Sequence, residues 1–484
     1  MIKSEQFFSD FRTGIEQGDA LAEIRAGIIG KDIMIPGSDG LKPLLYADYV
    51  ASGRALRQIE EAVMNGVLPY YANSHTEDSY CGAYMTGLRA SARSVVADLC
   101  GADDAHSVIF TGPGATAGLN RLVHLFGVRE AIAEGRGATI IIGPYEHHSN
   151  ILPWRESGAR VIEIPEAPNG GPDLGALKAA LAGAQGLVIG SFSAASNVTG
   201  IMTDVAAVTR MLKSAGALAV WDYAGGGPYM AMSMQPAAGT EIDAIVVSPH
   251  KFIGGPAASG LLILRKEAVA TQIPTFPGGG TVLYVSSTEH DYVADISERE
   301  EAGTPNTIGD IRAALAMIVK DVIGQDRIDR INAEFARRML QDLSEIPGIA
   351  VLGNTGCARL PIFSFLVARA DGSFVEPQEV ARVLSDRFGV QVRGGCACAG
   401  PYGHHLLSIP EEVSDHLRAR ILQGDLSEKP GFVRFNLSYL FTRQDYATLL
   451  RALRQLPGLF AETGAPASQG ASTDSEPASL RQSA

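Results

Sequence analysis

Seven apolar runs of strand length punctuate the first two-thirds of the chain. They are SVIFTG (107–112), ATIIIG (138–143), ARVIEI (159–164), GLVIGSF (186–192), ALAVWDY (217–223), AIVVS (244–248) and GLLIL (260–264). Within most of them apolar residues follow one another without strict alternation, the pattern of strands covered on both faces. The stretches between them include AGLNRLVHLFG (117–127) and DVAAVTRMLKSAG (204–216), which carry helical spacing. Strands alternating with helices predict an α/β fold built on a mostly parallel sheet.

Residues 1–42 read as a short helical arm ending in the loop IPGSDG, and 43–307 as a large ligand-binding domain. The segment FPGGGTVLYVSSTEHDYVADISEREEAGTPNT (276–307) has weak periodicity and reads as an ordered loop region. Helical patterns resume at 308, opening a smaller C-terminal α+β domain that runs to 460. The tail 461–484 is small and polar and is expected to be disordered.

Composition narrows the function. With 484 residues and 46% hydrophobic content the chain has material for a large core, and 54 glycines suit many tight turns. A formal net charge of -13 disfavours nucleic acid, which is bound largely through Lys and Arg. No apolar window reaches membrane-spanning length, and the N-terminal MIKSEQFFSDFRTGIEQGDA lacks a signal-peptide core. A cytoplasmic enzyme is therefore expected, with no membrane partner. The five cysteines, Cys81, Cys100, Cys357, Cys396 and Cys398, do not form a disulfide framework, so reduced thiols are expected, one of them reactive.

In open α/β sheets ligands bind beyond the carboxyl ends of the strands. The residues that follow the strand runs are Gly112–Thr116, His147–His148, Ser193–Asn197, Asp222 and Ser248–Lys251. A loop lysine is ordinarily a surface residue. Lys251, however, lies between two buried runs, beside Ser248 and His250 and before the bend Gly254-Gly255-Pro256. That setting suits a Schiff-base lysine, whose amine must be partly desolvated to be nucleophilic. Asp222 closes another strand; alone it is equally a helix cap. Paired with a pyridine nitrogen, it would keep the ring of pyridoxal phosphate protonated as an electron sink. FTGPGATAGLN (110–120) is a strand, a Gly-rich turn and a helix start, where Gly114, Ala115 and Thr116 offer backbone N–H groups to a phosphate. His147 has a ring able to stack on a planar cofactor, and Asn197 either reaches the cofactor or serves as an ordinary turn residue.

Six motifs carry a family resemblance: YEHHSNILPW, SNVTG, SPHKFIGGPAASGLLIL, GGGTV, EAGTPNT and RGGCACAGP. Together, over about residues 43–455, they resemble class V pyridoxal-phosphate enzymes, in the cysteine desulfurase and selenocysteine lyase branch. The resemblance implies a fold-type I PLP-dependent transferase: a large domain with a mostly parallel seven-stranded sheet plus a smaller α+β domain. It implies that Lys251 is the Schiff-base residue, Asp222 the pyridine-nitrogen partner and His147 the stacking ring. Ser248 and His250 would bind the phosphate with Ala115 and Thr116, and Asn197 would sit near the ring hydroxyl. Thr304 resembles the residue that reaches a phosphate in the partner of a homodimer. Arg434 resembles the residue that clamps a substrate carboxylate.

In the family's desulfurases an Arg lies five residues before the nucleophilic Cys, and a Pro three after it. Arg393, Cys398 and Pro401 fit that spacing, and Cys396 does not. Cys398 is the candidate that takes sulfur, or selenium, from the substrate as a persulfide, leaving alanine and handing the sulfur to an acceptor protein. A metal site at Cys396, Cys398, His404 and His405 has poor tetrahedral spacing, so no metal is expected. Three features depart from the family pattern. Gly225 replaces a Gln that touches the ring oxygen, Cys396-Ala397 replaces histidines before the nucleophile, and the 402–433 segment is long. They leave open another class V reaction (aminotransferase, epimerase or C–S lyase) in which Cys398 takes no sulfur.

Overall fold

The structure is a computed structural model that describes residues 4–74, 76–425 and 429–461. The seven apolar runs form β1 (His106–Gly112), β2 (Ala138–Ile142), β3 (Arg160–Glu163), β4 (Leu187–Ser193), β5 (Leu218–Asp222), β6 (Ala244–Val247) and β7 (Gly260–Arg265). They make one sheet in the spatial order β1-β7-β6-β5-β4-β2-β3. The pairings among β2 to β6 are parallel, and β7 is antiparallel to both its neighbours. Successive residues of each strand enter different cores. Ile141, Trp221, Ile245 and Ile263 join one apolar cluster, while Ile140, Val220, Val246 and Leu262 join the other. Both faces are thus buried, which is why these strands lack alternation.

The antiparallel β7 follows from its connection. β6 returns into its own neighbour through residues 248–259 without a crossover helix, and such a link joins antiparallel strands. Lys251 sits on this connection, in a short 3-10 turn at Pro249–Lys251.

Helices cover the sheet: α1 (Ser4–Glu16), α2 (Tyr80–Leu99), α3 (Gly114–Leu125), α4 (Thr307–Ile323) and α5 (Gln325–Ser344). α1 lies against α2 and α4 and buries Phe7, Phe8 and Ile15, so the N-terminal segment is packed into the core. Two loop expectations are corrected. IPGSDG is the turn of a hairpin in which Met34–Gly37 pairs with Gly40–Pro43 around Ser38-Asp39. The 276–307 region holds a hairpin, Val282–Val285 with His290–Tyr292, and a short helix, Ile296–Glu300, capped by Asp295. Its periodicity is weak because the hairpin leaves Leu283, Tyr284 and Val285 exposed.

A second, antiparallel sheet follows, of β8 (Ile349–Val351), β9 (Ile362–Val367), β10 (Arg393–Gly395) and β11 (Phe432–Asn436), in the order β8-β9-β11-β10. With it go α6 (Pro377–Phe388), α7 (Gly400–Leu406), α8 (Glu411–Leu422) and α9 (Arg443–Ala461). The long 402–433 segment is thus largely α7 and α8. Tyr402 from α7 sets its ring edge-on to Tyr145 at 4.9 Å and shares a hydrogen bond with Thr199 at 3.3 Å. α9 ends at Ala461, and the rest of the expected disordered tail lies outside the described residues. Among the described residues, no helix is long and apolar enough to cross a membrane.

Candidate active site

A cavity of about 490 Å³ opens at the carboxyl ends of the parallel strands. Each strand delivers its side chains where its ladder stops. Gly112 ends β1, His147 follows β2, Asn197 follows β4, Asp222 ends β5, and Ser248 to Lys251 follow β6. The second sheet closes the cavity with Arg393 on β10, Arg434 on β11 and Cys398 on the turn after β10. Twelve of the residues singled out in the sequence therefore share one wall-to-wall site: Lys251, Asp222, His147, Gly114, Ala115, Thr116, Asn197, Ser248, His250, Arg393, Cys398 and Arg434. Thr304 does not; it is exposed and lies outside the cavity lining.

Two opposite charges occupy the floor. Burial brings the Lys251 amine down to about 8; Asp222 opposes the fall, while Arg434 and Arg393 add to it. Burial pushes the Asp222 carboxyl up, against the Ala224 N–H, which donates to Oδ1 at 2.7 Å, and the positive Lys251. The site thus holds an amine much closer to neutrality than a free lysine, facing a desolvated carboxylate.

At one end α3 follows Pro113, whose own side chain cannot cap it. Gly114 has φ +64, and a Cβ there would stand 2.9 Å from Ser248 Oγ. The Ala115 N–H donates to that oxygen at 2.9 Å, leaving the Ser248 proton free to point into the cavity. These are the features a phosphate seat requires. A desolvated carboxylate, an amine and a helix start around one cavity fit pyridoxal phosphate in donor chemistry.

His147 is held as a neutral ring. The Ser149 N–H donates to its Nδ1 at 3.1 Å, which leaves the ring proton on Nε2. Burial, with the charge of Lys251 as the next cause, lowers its pKa to about 4. Ser149 Oγ lies 2.7 Å from Thr116 Oγ, tying the ring to the start of α3. Burial and Lys251 likewise bring His250 down to about 4.

On the opposite wall Asp48 organises both arginines. Its Oδ1 accepts from Arg434 Nη2 at 2.9 Å and its Oδ2 from Arg393 Nε at 3.1 Å. Arg434 Nη1 donates to the Asn197 carbonyl at 3.0 Å, while its buried Nε has no partner. That Nε is an unsatisfied donor on a residue of the cavity lining. Asn197 donates Nδ2 to the Ala397 carbonyl at 2.9 Å and leaves a buried Oδ1 unsatisfied. Gly225 lines the same wall. A Cβ there would make only ordinary contacts, 3.5 Å from Ala195 O and 3.6 Å from Asn197 Cβ, so the missing family Gln leaves space rather than a substitute contact.

The sequence reading missed Asp48 and Ser149. Asp48 follows the short strand Leu45–Tyr46, and the spacing of LLYADYV carries no sign that it meets arginines more than three hundred residues away. The SN that follows the two histidines was legible, but not its link to Thr116. Among the described residues no group of three or more His, Cys, Asp or Glu could hold a metal ion; His405 stacks on the Tyr402 ring.

Known proteins are similar to this chain in sequence and fold. A probable cysteine desulfurase of Streptomyces coelicolor is 28% identical over 393 residues, covering 78% of this chain and 90% of that protein. A cysteine desulfurase of Enterobacter sp. is 30% identical over 367 residues, covering 74% and 85%. The apo structure of the cysteine desulfurase from Thermococcus onnurineus NA1 superposes with a TM-score of 0.74 at 25% identity, over 90% of this chain and 98% of that one. Residues 45–445 match the profile of the class V aminotransferases, and the chain belongs to this family of pyridoxal-phosphate-dependent enzymes.

Proposed function

We propose that the protein is a cysteine desulfurase that takes sulfur from L-cysteine, or selenium from selenocysteine, onto Cys398 and releases alanine. The observation that carries this reading is the placement of Cys398 on the lining of the cavity that holds Lys251, Asp222 and Arg434. When bound, pyridoxal phosphate supplies an electron sink for the substrate α-carbon. Lys251 would hold the cofactor covalently, Asp222 its ring nitrogen, His147 its ring face, and Ser248, His250 and the start of α3 its phosphate.

Arg434, held on the cavity lining by Asp48 and the Asn197 carbonyl, receives the substrate carboxylate. Arg393, on the same carboxylate of Asp48, adds positive charge on that side. Lys251, released by the incoming amine, is near enough to neutral to take the α-proton and later return one. Cys398 attacks the substrate sulfur. Its new S–S bond forms as the substrate C–S bond breaks, and the sulfur remains on Cys398 as a persulfide until a thiol of an acceptor protein takes it.

The working unit is a homodimer, with Thr304 of one protomer at the phosphate of its partner. Its exposure outside its own chain's cavity supports that role. Five unpaired cysteines support a reducing, cytoplasmic setting. The test is sulfide and alanine release from L-cysteine under reductant. Cys398→Ala should lose sulfide release by about 100-fold or more while keeping the yellow cofactor band. Unchanged sulfide release in that variant would move the reading to another class V reaction in which Cys398 takes no sulfur.

A further inference from the structure

The turn that carries Cys398 is an improbable one for its sequence. Ala397 and Cys398 have φ values of +49 and +55, two consecutive non-glycine residues in the left-handed region. Such a turn persists only where its surroundings over-determine it. Its peptide groups are gripped from outside at three points. Asn197 holds the Ala397 carbonyl. The His148 N–H donates to the Cys398 carbonyl at 2.9 Å. The Gly400 N–H donates to His148 Nε2, also at 2.9 Å. His148 therefore binds both sides of Ala399, the residue after Cys398, one with its backbone and one with its ring, while Asn197 holds the peptide before Cys398. It also stands next to His147, so the element that positions the cofactor-side ring positions the thiol as well.

We propose that His148 is a positioning residue for Cys398, its neutral ring holding the turn so that the thiol faces the substrate. The inference rests on the desulfurase reading for its catalytic consequence and on the three hydrogen bonds alone for its structural one. The ring must accept at Nε2, so it carries its proton on Nδ1. Burial, with Arg155 as the second cause, lowers the pKa of His148 and favours that neutral form. Gly400 is part of the fit, since a Cβ there would stand 3.0 Å from His148 Nε2. A thiol that reacts inside the cavity and then hands sulfur to a partner outside needs a turn with a defined inward position. Cys398 is itself exposed, so its immediate surroundings do not confine it.

The test compares His148→Ala, His148→Gln and Gly400→Ala as holoenzymes. It reads the rate of Cys398 alkylation by iodoacetamide, resolved by mass spectrometry, the visible cofactor band, and kcat and KM for sulfide release from L-cysteine. His148→Ala should change the alkylation rate about fivefold and lower kcat about tenfold, with KM and the cofactor band held. Gln presents an oxygen acceptor near the place of Nε2 and should restore most of both. Gly400→Ala, which presses on the ring without removing it, should fall between, and it serves if the alanine variant at 148 does not fold. Alkylation and kcat both unchanged in His148→Ala, or Gln no better than Ala, would overturn the proposal. So would a shifted cofactor band, which would place the effect at His147. If the wild type releases no sulfide, the desulfurase reading fails, and the alkylation rates with the Gln rescue decide the role of His148 by themselves.

Discussion

The two halves of the cavity are built differently. The side proposed for the phosphate uses local structure: a strand end, a glycine turn and a helix start within Gly112–Thr116, joined by Ser248 from the neighbouring connection. The sulfur side uses side chains brought from far apart. Asp48 joins two arginines on β10 and β11, and Asn197 and His148 grip a strained turn two hundred or more residues away. A site made of backbone ends is rigid as soon as the sheet forms. A site made of long-range side-chain contacts can be retuned without disturbing the fold, which fits a family with one cofactor and many reactions.

The largest break should come on the cofactor side. Lys251→Ala removes the proposed covalent holder and base; sulfide release should fall by about 1000-fold or more, and the protein-bound yellow band should disappear. Cys398→Ala keeps the band, so the pair of spectra separates the halves. A Lys251→Ala enzyme retaining appreciable turnover would end the assignment of that residue.

Gly114→Val attacks the same half more gently. Its Cβ meets Ser248 Oγ at 2.9 Å and its φ of +64 strains any side chain. Cofactor affinity should weaken about tenfold or more, since 1.4 kcal/mol of strain already gives that factor. Titration of the apoprotein with pyridoxal phosphate measures it, and tight binding in the variant would remove the phosphate from the start of α3.

The smallest effect sharpens the electrostatics. The folded pKa of Lys251, about 8, lies below its ordinary 10.5, so the reactive neutral amine is depleted below pH 8. Covalent cofactor uptake by the apoprotein should rise about tenfold per pH unit below 8 and flatten above it. A rise continuing past pH 10 would mean an amine no more desolvated than a free lysine. The same shift makes a stability statement. Charging Lys251 costs the folded apoprotein most below pH 8, and that cost fades between 8 and 10.5 as the unfolded chain loses its proton too.

How much was legible in the sequence follows the same division. The seven apolar runs became seven strands of one sheet, because continuous apolar runs admit few other fates. The residues just after them became the cavity rim, because a parallel sheet places its carboxyl ends together. IPGSDG and the 276–307 region read as loops although each holds a hairpin, because the faces of Met34–Pro43 and Val282–Tyr292 are largely exposed and carry little hydrophobic periodicity. Asp48, the link of Ser149 to Thr116 and the grip of His148 left no sequence signal, because each acts through a partner that only folding brings near. The pattern along the chain sets the sheet and puts Asp222 at a strand end and Lys251 in the connection after one, and the family resemblance marks Cys398. Which groups meet the arginines and the Cys398 turn emerges only on folding, because periodicity reports burial within one element and contacts between distant elements have no period.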